Sequence, residues 1–114
     1  MNAQLANSAD MGALIVFTTV PDEIVAVKVT ESLLQQRFAA CVHALPIGLS
    51  RYRWRGEIES SAEITLLIKI TFDRYRQLEA DIVRLHPYEV PEIVAFPVSA
   101  GLPAYLKWIT DETQ

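Results

Sequence analysis

From Glu57 to Thr71 the chain alternates with little interruption. Ile58, Ala62, Ile64, Leu66, Ile68 and Ile70 fall on one side of an extended backbone, and Glu57, Glu59, Glu63, Thr65, Lys69 and Thr71 on the other. Period two held over about fifteen residues specifies one long strand with a single apolar face. At roughly 3.3 Å per residue that strand reaches about 50 Å, whereas a compact chain of this size has a radius of gyration near 13 Å and a diameter of about 35 Å. The strand overshoots its own globule. Either its tip projects and pairs elsewhere, or it bends back at a bulge, for which Gly48 is the candidate.

The partner strand precedes it. Phe38 to Trp54 runs into "WRGE", where a two-residue turn at Arg55 and Gly56 sets Trp54 opposite Glu57, Tyr52 opposite Glu59 and Arg53 opposite Ile58. Upstream, Ala13 to Thr19 (ALIVFTT) is apolar at nearly every position, as a strand covered on both faces would be. Pro21, Asp22 and Glu23 then start a helix that carries Ala26, Val29, Leu33 and Leu34 to about Arg37. After the long strand, Asp73 is placed to cap a second helix with Leu78, Ile82 and Leu85 on one face, which Pro87 stops. Ile93 to Val98 form a last strand, and Pro103 to about Asp111 a short helix packed through Tyr105, Trp108 and Ile109.

This order predicts an α+β fold: a ferredoxin-like βαββαβ sandwich with a long central hairpin and an extra C-terminal helix, both main helices lying on one face of an antiparallel sheet. The other face is left open. Leu67 interrupts the polar row there, and the first and last strands are apolar on both sides. An open apolar face of this kind is an interface, and closed symmetry lets copies cover one another without forming filaments. A homo-oligomer is the expectation.

With 114 residues, 51% of them hydrophobic, the chain holds one core and one domain, residues 13–114, behind a flexible segment over residues 1–12. Either Met1 or Met11 can serve as the start of translation. The first dozen residues show no basic cluster ahead of an apolar core, and no apolar run approaches the roughly 20 residues that span a bilayer, so no membrane association is expected. Ten basic against fourteen acidic residues give a net charge of -4, which repels polyphosphate and makes nucleic acid a poor partner. Cys41 is the only cysteine, so neither an internal disulfide nor a multi-thiolate cage is available to one chain, and a cytoplasmic location fits.

The chemistry-bearing residues concentrate in "HPYEVPEIVAFPV". His86, Glu89 and Glu92 are suited to copper or zinc, and Pro87 and Pro91 leave the loop little entropy to lose on binding. One histidine and two carboxylates make an incomplete shell, and a second reading has His86 closing the helix on its last carbonyls. Cys41 and His43, two apart on a strand, share a face. Arg51, Arg53 and Arg55 alternate with Tyr52 and Trp54, but the hairpin register mixes the character of both sides, which favours intersubunit packing over a nucleic-acid stripe. No glycine-rich phosphate loop or Ser/His/Asp order occurs.

Together "TTVPDE", "RFAACVHALPI", "YRWRGEIE" and "HPYEVPEIVAFPV" closely resemble the CutA family of divalent-cation tolerance proteins, over Ala13 to Ile109. The resemblance implies a homotrimer whose long hairpins pack between subunits, much as in the PII signalling proteins, and a cytoplasmic role in tolerance of copper and other divalent metals. His86, Tyr88, Glu89 and Glu92 match the family's loop, and Cys41 matches its "AAC" cysteine. Copper-binding members carry a cysteine where this chain has Thr18 and a second histidine where it has Leu85, so two of their ligands are missing here. Three readings follow. The first is a trimeric cation-response protein holding a divalent ion weakly, with no obligatory cofactor. The second is a PII-like regulator with a small ligand or protein partner in intersubunit clefts, where Tyr52, Trp54, Tyr88 and Cys41 are candidate ligand or interface residues. The third is an enzyme with His86 as base and Glu89 or Glu92 as its orienting carboxylate, which lacks a nucleophile; a non-enzyme is expected.

Overall fold

The structure is a computed structural model that describes residues 12–114. All but Gly12 of the expected N-terminal segment, and the choice between Met1 and Met11, lie outside those residues. Strands β1 (Ala13–Val20), β2 (Cys41–Ala44), β3 (Gly48–Trp54), β4 (Glu57–Thr71) and β5 (Ile93–Pro97) alternate with helices α1 (Glu23–Gln35), α2 (Tyr75–Leu85) and α3 (Pro103–Glu112). The sheet is antiparallel in the order β2-β4-β1-β5, and β3 pairs with the outer half of β4. The α+β, ferredoxin-like arrangement is the one expected.

Alternation along β4 and β1 builds the core. Leu14, Val16, Val20, Ile64, Leu66, Ile68 and Ile70 turn inward against Ala26, Val29 and Leu33 of α1 and Leu78 and Ile82 of α2. On the opposite face, cross-strand register aligns Ile15 with Phe96, Phe17 with Val94 and Leu67, and His43 with Leu67. Phe96 is 54% exposed and Val94 43%, so this apolar surface has no cover within one chain. The radius of gyration, 15.1 Å, exceeds the value of about 13 Å for a compact chain of this length. The longest principal extent, 42 Å, nevertheless falls below the roughly 50 Å of a straight fifteen-residue strand.

Local details depart from expectation at three places. The break in the hairpin lies at Leu45, Pro46 and Ile47, where three residues stand opposite only Ile64 and Thr65; Gly48 already belongs to β3. Proline cannot donate to the ladder, which places the interruption at position 46. Asp73 caps nothing, because Phe72–Arg74 form a 3₁₀ turn and α2 begins after it without a side-chain cap. Asp22 is the effective cap, accepting the Val25 amide at 2.9 Å. Finally, Ile109 is buried but Tyr105 and Trp108 are about 40% exposed and stack on each other, centroids 5.5 Å apart. Helix α3 is instead tied down by its C-terminal end, where Arg74 donates to the Thr113 carbonyl at 2.6 Å and Arg37 to that of Gln114 at 2.8 Å.

The two main helices are joined by a buried carboxylate. Asp81 accepts from the Ser32 hydroxyl and from Arg84, each at 2.6 Å. Burial alone would raise its pKa, but hydrogen bonds from Ser32, Arg84 and Gln36, with the charge of Arg84, hold it below its ordinary value of 3.8. A depressed folded-state pKa contributes stability that is complete above the unfolded value and is lost as pH falls through the folded one. Asp81→Asn is therefore expected to cost about 1–2 kcal/mol at pH 7. Urea midpoints of wild type and variant should converge below about pH 4; a gap that stays constant with pH would show that the charge contributes nothing.

Candidate functional site

The hairpin and the loop after α2 enclose a cleft of about 660 Å³ on the sheet face turned away from the main helices. Its register comes from the turn: Arg55 at φ +50° and Gly56 at φ +85° are the paired left-handed residues that match the twist of a two-residue hairpin. Tyr52 and Trp54 consequently point to one side with Glu57 and Glu59, while Leu49, Arg51 and Arg53 point to the other with Ile58. As expected from the sequence, each side is mixed in character and neither is a basic stripe: one carries aromatics with carboxylates, the other arginines with aliphatics.

Pro87 ends α2, and His86 turns its ring inward, 7% exposed. Its Nε2 lies 2.7 Å from the Thr19 carbonyl, and the Tyr88 amide donates to its Nδ1 at 3.2 Å. A carbonyl only accepts and an amide N–H only donates, so the ring is the tautomer protonated at Nε2. The ring fastens the loop to β1, while the His86 backbone N–H closes the helix on the Ile82 carbonyl at 2.8 Å, as the second reading expected. Tyr88, packed 4.6 Å from the imidazole, donates its hydroxyl to Glu63 at 2.7 Å. Burial, then the hydrogen bond and negative charge of Glu63, push the Tyr88 phenol up to about 12.

Glu63 escapes a reading of the sequence because it sits in the polar row of β4. Its signal is position: it is the carboxylate of that row inside the globule, whereas Glu57 and Glu59 belong to the protruding end. The structure leaves it only 7% exposed. The expected trio is not brought together. Glu89 pairs with Arg55 at 2.9 Å, Glu92 is exposed, and among the described residues no three His, Cys, Asp or Glu side chains form a metal-ligating group. Both ring nitrogens of His86 are engaged by backbone groups, and among the described residues no carboxylate bonds to the ring. Cys41 is half-buried and His43 exposed, both on the open apolar face and away from the cleft lining. Thr18, where a cysteine would serve as a ligand, faces the core; its Oγ1 is the one buried side-chain polar atom without a partner among the described residues.

Residues 14–112 match the family model described as CutA1 divalent ion tolerance protein. The chain belongs to this family. It is 42% identical to the divalent-cation tolerance protein CutA of Thermus thermophilus, across 87% of this chain and 96% of that one. It is 38% identical to Protein CutA of Mus musculus over 86% of this chain, but spans 55% of the mouse protein. The crystal structure of CutA from Xylella fastidiosa superposes with a TM-score of 0.88 at 43% identity, covering 90% of this chain and 99% of that one. The CutA1 match and the ferredoxin-like sheet agree on one fold. The PII-like regulator reading finds no support in these matches.

Proposed function

We propose that this CutA1 protein works in divalent-cation tolerance as a cytoplasmic homotrimer and binds copper or zinc only weakly. The observation that carries the assembly is the uncovered sheet face, where Val94 and Phe96 stand exposed beside Phe17 and Leu67. An apolar face of this kind is stable in water only when covered, and family resemblance supplies the number three. No helix among the described residues is long and apolar enough to cross a membrane, and the lone Cys41 suits a reducing compartment. The reading assigns no catalytic step.

For the ion, the available donors are the exposed carboxylates of Glu89 and Glu92 at the cleft mouth. Oxygen donors without imidazole or thiolate hold these metals loosely. Calorimetric titration with Cu(II) or Zn(II) should give weak binding that Glu89→Gln with Glu92→Gln lowers at least fivefold. Tight binding abolished by His86→Ala in a folded protein would refute the carboxylate site and return the imidazole to it.

A further inference from the structure

We propose that helix α3 is a latch: it folds only while its C-terminal end sits on Arg37 and Arg74, and it opens as a unit far more readily than the sheet unfolds. Neither the trimer nor the divalent ion enters this inference. Both arginines belong to the helix layer, Arg37 just after α1 and Arg74 just before α2, away from the sheet face assigned to contact between copies.

Taken alone, Pro103–Glu112 is a poor helix. Its 10 residues are too few to stay helical in water without tertiary contacts. Pro103 starts it, but Leu102 offers no side-chain cap and the first turn has no acid. The last turn carries Asp111 and Glu112 and no base, so negative charge meets the negative end of the helix dipole. Lys107 reaches Asp111 at 2.7 Å, with the lysine N-terminal to the acid, which is the weaker orientation. Packing adds little, since Ile109 is the one apolar side chain of α3 that is buried.

The missing positive charge comes from elsewhere in the fold. Arg37 donates to the carbonyls of Gln114 at 2.8 Å and Asp111 at 3.1 Å, and lies 3.8 Å from the Glu112 carboxylate. Arg74 donates to the Thr113 carbonyl at 2.6 Å. Arg37 does this from an unusual backbone. Helix α1 ends in a Schellman turn, with the Phe38 amide on the Leu33 carbonyl at 3.0 Å and the Arg37 amide on that of Leu34 at 3.1 Å. That turn holds Arg37 at φ +60°, where glycine is the ordinary occupant. An arginine here strains the end of α1, while its side chain secures the end of α3.

Release acts on the sheet at one place. Helix α3 continues β5 through residues 98–102, and β5 is an edge strand whose one ladder partner among the described residues is β1. An open latch loosens the Pro97 end of β5 while β1 and β4 stay paired. The Arg37 side chain is 49% exposed, so salt reaches the clasp and weakens it.

The test is amide hydrogen exchange of the full chain at neutral pH, read separately for α3 and for β4. Wild-type amides from Lys107 to Glu112 should exchange at least a hundredfold faster than those of Leu66 and Ile68, and at least threefold faster again in molar sodium chloride. Arg37→Gly separates the latch from general stability, because it removes part of the clasp while giving the Schellman turn its preferred residue. In that variant α3 should exchange at least tenfold faster, with β4 unchanged or slower. Wild-type α3 protected as strongly as β4, α3 indifferent to Arg37→Gly, or α3 and β4 accelerated alike by it would overturn the proposal, the last showing a loss of overall stability and no latch.

Discussion

Replacing His86 with alanine is expected to destabilise the protein by about 3 kcal/mol in the presence of a chelator, with no metal involved. The ring is buried and both nitrogens are engaged, one with the Thr19 carbonyl and the other with the Tyr88 amide. Removing it strands one backbone acceptor and one backbone donor in a part-buried site and opens a void beside Tyr88. Each unsatisfied group costs about 1–3 kcal/mol, partly offset where the loop relaxes to admit water. Urea midpoints at matched protein concentration measure it. An unchanged midpoint in chelator, combined with loss of a metal-induced shift, would make His86 a ligand and not a fastening.

Phe96→Glu is expected to reduce the assembly from three chains to one. Phe96 is 54% exposed in the single chain and touches Phe17 edge-on at 5.5 Å, so a charged side chain there can reach water without disturbing the core. In an apolar interface between copies the same carboxylate has no partner and must be desolvated, which costs several kcal/mol per chain. Light scattering coupled to size exclusion at micromolar concentration should report the mass of three wild-type chains and of one variant chain. Wild-type protein of single-chain mass, folded and monodisperse, would remove the trimer from the reading.

Much of the architecture is legible because β4 advertises itself. Its period-two row fixes which side is core, and a two-residue turn leaves one register for β3, so the pairings of Tyr52, Arg53 and Trp54 follow from Arg55 and Gly56. The charge sorting of the hairpin also follows from that register, once the faces are traced residue by residue. Less legible are features decided by tertiary neighbours. Asp73 has the chemistry of a cap but sits in a 3₁₀ turn, and Asp22 takes that role one helix earlier. Tyr105 and Trp108 fall at helical spacing, yet α3 rests on Ile109 and its C-terminal contacts.

The candidate site divides in the same way. The loop from His86 to Glu92 stands out because its residue types are conspicuous and its prolines stiffen it. Its internal wiring is hidden, because the partners lie far away in sequence: Thr19 for His86, Glu63 for Tyr88 and Arg55 for Glu89. A histidine and two glutamates within seven residues suggest shared ligation. The fold sends each toward a different neighbour, and the carboxylate that ends up deepest, Glu63, comes from the strand and not from the loop.

The surplus residue between β2 and β3 has its own implication for how this chain tolerates change in length. β2 is keyed to β4 from the globule, β3 from the turn, and Leu45 to Ile47 absorb the one-residue mismatch between the two keys. Insertions or deletions in that short span alter slack alone. The same edit between Gly48 and Trp54 rotates the residues on one side of it by half a pleat, exchanging arginines for aromatics against the cleft. Natural or engineered variation should therefore collect at the proline and be purged a few positions later.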